Sequence, residues 1–254
     1  MPNSSPTRWD HSGYRPGPRR RPRARSTPGS RYAASPRAPR PGRRLTATRG
    51  RIDKRQAILD AAFSVFAQEG YRAASVDAIA AAAGVAKHTI YNHFGDKERL
   101  FRATLAALAE QTRTRNLAAV ELLRLPGDAD AEELSRILGT VGLRLAECYC
   151  DPRSQACRRL LQAELQTLPD LHDIVREGAA DRVHEALADR FARLALAGKL
   201  RLTDPAVAAE QFGALLTAPL ETRSGLGSRE LSAADLAEVT QNAVQTFLRA
   251  FGNQ

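Results

Sequence analysis

Residues 84–94, GVAKHTIYNHF, hold a lysine, two histidines, a threonine, a tyrosine and an asparagine, and no acid. Three chemistries use such a set: metal ligation, solvation of a helix face, and reading of a DNA duplex. His88 and His93 are five residues apart, which sets them on different faces of a helix, and the stretch supplies no carboxylate to complete a metal shell. A solvated face accounts for the polar residues, but not for two aromatics, two histidines and missing acids together. A helix seated in a major groove needs this exterior. Short or forked side chains reach base edges, hydroxyls and cations grip phosphates, and acids are excluded by repulsion.

The second reactive cluster is Cys148, Cys150 and Cys157. A C-x-C pair plus one further cysteine, with no histidine close by, falls short of the four ligands zinc takes. An odd count without a secretion signal predicts reduced thiols that fill space between helices. Two rivals remain: a redox sensor built on the three thiols, and a thiol enzyme in which Cys150 or Cys157 pairs with His172 or His184. No Gly-rich phosphate loop after a strand, nucleophile elbow or metal motif is present, so the chain reads as a non-enzyme that needs no cofactor.

The elements that must carry these residues are helices. From Arg51 onward Ala, Leu, Arg and Glu dominate, strand-like alternation is missing, and breaks fall at Gly and Pro. Nine helices are predicted. The first spans 53–68, with Ile58, Leu59, Ala62, Phe63, Val65 and Phe66 as its apolar stripe and Gly70 as its end. The second covers 76–83 behind an N-cap at Ser75, and Gly84 turns the chain into the third, 87–94. Asp96 caps a long helix reaching Leu125, and the rest span 131–149, 152–166, 171–197, 205–216 and 232–251. The second and third form a helix-turn-helix in which Val85, Ile90 and Phe94 face the first helix. Lys87, His88, Thr89, Tyr91, Asn92 and His93 then project outward.

Residues 56–105, and above all ILDAAFSVFAQEGY, SVDAIAAAAGV and IYNHFGDKERLF in that order, resemble the DNA-binding domain of the TetR family of bacterial transcriptional regulators. The resemblance implies an all-α fold: an N-terminal three-helix DNA-binding domain (50–96) followed by a helical effector-binding and dimerisation domain (97–254). It implies that Ser75 caps its helix and bonds a phosphate, that Lys87, His88 and Thr89 meet bases, and that Tyr91, His93 and Lys97 grip phosphates, with Asn92 able to do either. Two positions depart from the family pattern. Ala86 replaces a common capping serine, and His88 a common glycine, which enlarges the reading surface.

Residues 1–49 carry thirteen arginines against one acid, Asp10, and nine of the fourteen prolines. The segment is thus +12 of a total of +10, and the remainder is −2. So little apolar surface and so much proline predict a disordered tail. It reads as a misassigned start or as a basic arm adding salt-sensitive, sequence-independent DNA affinity. No apolar leader or membrane-length run appears, which predicts a cytoplasmic, nucleoid-associated protein.

A small helix-turn-helix reads few base pairs, so a homodimer on palindromic operator DNA is expected. Phe212, Leu215 and Leu216, with Leu236, Val244, Phe247 and Phe251, form apolar stripes able to pair across a two-fold axis, or to cover the protomer's own core. The resemblance also implies a cavity for a small-molecule effector, with Phe101, Leu105, Leu108, Leu143, Tyr149, Cys150, Leu161 and Leu165 as candidate lining. An apolar wall with few anchors suits a hydrophobic or weakly polar ligand. The function expected is that of a repressor released from its operator by such a ligand.

Overall fold

A computed structural model of the 254-residue chain describes residues 42–124 and 130–253. They form ten α-helices: α1 Gly42–Ala73, α2 Val76–Ala83, α3 Lys87–Phe94, α4 Lys97–Val120, α5 Ala131–Cys150, α6 Pro152–Glu164, α7 Leu171–Val175, α8 Asp181–Leu196, α9 Pro205–Arg223 and α10 Ala233–Phe251. A π-helical turn, Arg176–Ala180, joins α7 to α8, so the single run expected over 171–197 is one rod with a wider turn inside it. That turn accounts for ten helices where nine are expected. Among the described residues, extended pairing is limited to one bridge, Leu200 to Gly252.

Local chemistry sets most boundaries. Ser75 accepts a hydrogen bond from the Ala78 amide at 3.0 Å, and Asp96, Asp130, Asp151 and Asp204 cap α4, α5, α6 and α9 in the same way. Ser232 and Asp235 form a reciprocal capping box on α10. Gly70 (φ +78°) breaks the long first helix where a side chain would be strained, and Gly84 (φ +63°) makes the left-handed turn between α2 and α3.

Three expectations are corrected. Residues 42–49, assigned to the disordered tail, are helical: the last proline of the segment is Pro41, and α1 starts directly after it. Residues 1–41, with the rest of the tail reading, lie outside the described residues. The long fourth helix stops at Val120 rather than Leu125, and the PGD expected to stop it lies outside the described residues. The helix expected over 205–216, α9, does not end at Leu216 but continues through Pro219 to Arg223. Phe212, Leu216 and Leu220 are all buried at four-residue steps. Burying Leu220 offsets much of the roughly 3 kcal/mol that an internal proline costs.

Two large apolar cores and a small third cluster around Ala146, Leu220 and Val239 result. The first joins α1, α2 and α3 to the N-terminal half of α4 and to Cys157 and Leu160 of α6, with Phe101 edge-on to Phe66 at 4.8 Å and against Tyr71 at 4.6 Å. The second unites α5, α8, α9 and α10 with the end of α4, around the Phe191–Phe212–Phe247 cluster. The first core crosses the boundary expected between residues 96 and 97. The helix-turn-helix is therefore packed on α4 and α6 as one body with them.

Candidate nucleic-acid interface and internal cavity

The outward face of α3 is built from its inward one. Ile90 and Phe94 are buried and Val85 is half-buried against the first core. At helical spacing this leaves Lys87, His88, Tyr91 and Asn92 exposed, with Thr89 and His93 half-exposed at the edges of the strip. Ser75, at the head of α2, is exposed on its own cap. Its hydroxyl oxygen serves that cap, which leaves the O–H to donate elsewhere. Ala86 gives α3 no side-chain cap, and only its backbone carbonyl serves the first turn, accepting the Thr89 amide at 2.8 Å.

Two of the cations expected to touch DNA have partners within the protein. Lys87 Nζ lies 2.8 Å from Asp77 Oδ2 across the helix-turn-helix, and the hydrogen bond and charge of Asp77 hold the ammonium above its usual pKa. Lys97 Nζ donates to the Arg72 carbonyl at 3.1 Å and sits 4.9 Å from the Tyr71 ring centroid, tying the start of α4 to the end of α1. Sequence reasoning missed Asp77. The signal was the ten-residue separation from Lys87, which only the turn at Gly84 brings together.

The larger domain holds a cavity of about 390 Å³. Its walls come from α4 (Thr112, Asn116), α5 (Leu145, Tyr149), α6 (Ser154, Arg158), α8 (Val183, Leu187) and α9 (Leu216, Leu220). Of the eight expected lining residues, only Tyr149 is there. Phe101, Leu105 and Leu108 are buried in the first core, and Leu161 packs half-buried against it. Leu143 lines a shallow groove between α5 and α10, Cys150 a separate one beside Asp151 and Leu231, and Leu165 is exposed. The difference is one of position along the helix: the apolar stripe of α4 through Leu108 is committed to the DNA-binding unit, and the cavity begins about one turn further on, at Thr112. Leu216, expected on the dimer surface, is a wall instead.

The expected dimer stripe is corrected in the same way. Phe212, Leu216, Val244 and Phe247 are buried inside the protomer, so four of the seven expected residues pack mainly into its own core. Leu215, Leu236 and Phe251 are half-buried. A shallow apolar groove remains open on the outer side of α9 and α10, lined by Leu215, Ala218, Pro219, Ala250 and Phe251.

Burial raises the thiol pKa values of Cys148 and Cys150 and pushes that of Cys157 up to about 11. All three are free thiols. Activated nucleophiles and redox thiols need the opposite shift. Among the described residues no group of histidine, cysteine and carboxylate side chains is arranged to hold a metal, and no helix is long and apolar enough to cross a membrane.

Comparison with known proteins agrees with this geometry. Residues 58–104 match the family described as bacterial regulatory proteins, tetR family, and residues 136–253 match the AefR-like transcriptional repressor C-terminal domain. The HTH-type transcriptional repressor Rv3405c of Mycobacterium tuberculosis is 33% identical over 201 residues, covering 78% of this chain and 91% of that protein. A TetR-family regulator of Mesorhizobium loti superposes with a TM-score of 0.71 at 30% identity, covering 79% of this chain and 98% of that one. The flavonoid-responsive regulator FrrA does so with a TM-score of 0.62 at 27% identity, covering 80% and 98%.

Proposed function

The chain belongs to the TetR family of bacterial transcriptional regulators, and from that premise we propose that it is a homodimeric repressor whose hold on a palindromic operator is weakened by a small molecule in the α4–α9 cavity. The observation that carries this reading is the acid-free strip on α3, presented to solvent by burial of Ile90 and Phe94. On it, Lys87, His88 and Thr89 near the helix N-terminus meet base edges. Tyr91, His93, Ser75 and Lys97 flank them and meet phosphates, with Asn92 able to do either. Two copies of so short a strip are needed for useful specificity, and the open groove on α9 and α10 supplies the mating face.

Release follows from how the cavity is attached. Its walls include α4 and α6, and both helices also build the first core beneath the helix-turn-helix. Arg153 of α6 donates to Asp60 of α1 at 2.9 Å and lies over the Phe63 ring at 5.0 Å. Arg72 of α1 donates to Thr167 at 3.1 Å, just past α6. A ligand that favours one tilt of α4 and α6 changes the spacing of the two α3 helices on the duplex. A coupling of about 1–3 kcal/mol alters operator affinity roughly 5- to 150-fold. The name of FrrA records a response to flavonoids in that relative and supports a small-molecule signal here.

Selection of bound fragments from random duplex DNA tests the reading. A palindromic consensus with half-sites about one helical turn apart, or a multiple of it, is the expected result. Equal retention of all sequences at low salt would sink it.

A further inference from the structure

The cavity is apolar over most of its wall, yet its one arginine is singular. Arg158 reaches in from α6 with its guanidinium carbon 3.7 Å from the centroid of the Tyr149 ring, and its Nη2 donates to the Tyr149 carbonyl at 2.9 Å. The guanidinium is thereby held over an aromatic face with most of its donors unspent. Neighbouring arginines are neutralised: Arg115 pairs with Asp151 at 3.4 Å and Arg153 with Asp60 at 2.9 Å. Among the described residues Arg158 forms no ion pair, although it is only partly exposed. Glu210 lines the cavity but is exposed to solvent, and Glu221 is close enough to act on the Tyr149 phenol without pairing with Arg158. A second polar group is also unmatched. The amide oxygen of Asn116, on the facing helix α4, is buried with no hydrogen-bond partner.

We propose that the cavity receives the carboxylate of an aromatic acid, its anion on the Arg158 guanidinium and its ring among Leu145, Val183, Leu187 and Leu216. The inference rests on the ligand-responsive reading above and names the class of ligand. A half-buried cation without a carboxylate is satisfied by a ligand that brings one, through the forked geometry that makes guanidinium–carboxylate pairs strong. The Tyr149 ring beneath Arg158 and the aliphatic walls favour a planar hydrophobic body. The volume of about 390 Å³ admits a few linked or fused rings. Asn116 adds a polar contact for a ring substituent, through whichever end of its amide faces the ligand.

The test uses the full chain with benzoate, 4-hydroxycinnamate and 1-naphthoate, each beside its uncharged primary amide, by calorimetry and by shift of melting temperature. At least one acid is expected to bind about tenfold or more tightly than its amide, as a charge-assisted pair requires. That acid should also weaken binding to the selected operator. Arg158→Gln should erase the preference for acid over amide while keeping the helical spectrum and operator binding. Should that variant fail to fold, the acid-to-amide ratio of the unaltered chain decides alone. Equal binding of acids and amides, preference for aromatic amines, or no response to any acid overturns the proposal. Operator binding is measured separately. A chain that binds its operator but ignores every acid refutes this ligand class and leaves the regulator reading standing. A chain that binds acids but no duplex keeps the ligand class and refutes the regulator.

Discussion

On the proposed reading, Lys87 is the residue at which fold and recognition compete. Its ammonium is held by Asp77 in an exposed pair, which contributes little to stability because water and salt screen it. The same carboxylate, on α2 and in direct contact with the strip through Lys87, repels phosphate and occupies a donor. Asp77→Asn should therefore tighten binding to any duplex several-fold and steepen the salt dependence by about one counterion, measured by fluorescence anisotropy across a salt series. Weaker binding would mean that Asp77 positions Lys87 rather than restraining it. At the same scale, burial separates Cys157 from chemistry. With its pKa raised to about 11, the thiolate fraction in the folded chain is small at neutrality and grows only as pH climbs towards that value. Alkylation by iodoacetamide at pH 7 should be far slower folded than unfolded. Rapid modification of the folded chain would revive the thiol readings.

The helices α4 and α6 each do two jobs along their length. Near its start α4 gives Phe101 and Leu105 to the core shared with the helix-turn-helix, and two to three turns later it gives Thr112 and Asn116 to the cavity. Within one short helix, α6 gives Cys157 and Leu160 to the first core and Ser154 and Arg158 to the cavity. Phe101→Ala distinguishes core from pocket: it should cost about 3–5 kcal/mol in a denaturant titration, the usual loss for a fully buried aromatic. It should leave the order of ligand preference unchanged. A variant of normal stability with altered ligand preference would return Phe101 to the pocket.

At the scale of the molecule, burial within one protomer decides what a second can touch. Phe212, Leu216, Val244 and Phe247 are buried in the protomer's own core, and an apolar groove with Phe247 at its floor stays open along α9 and α10. Ala218 is exposed on that groove, so a charged side chain there spares the protomer's interior. Ala218→Glu should give a folded monomer in sedimentation, with operator affinity lowered by tenfold or more because two half-sites no longer bind as a unit. An unchanged dimer would move the interface elsewhere.

The sequence by itself determined most of the helices, the caps at Ser75 and Asp96, the helix-turn-helix and the exposed strip on α3. These depend on short-range rules: a serine or aspartate that caps, a glycine that permits positive φ, and a 3.6-residue period that sorts inward from outward faces. The long reach of α9 past Pro219, the Lys87–Asp77 pair, the cavity around Arg158 and the division of apolar stripes between core and open surface were decided only in three dimensions. An apolar stripe states that a helix face is buried, but not against which neighbour. That choice is made by packing between segments far apart in the chain, where one face can serve core, cavity or partner but not all of them at once.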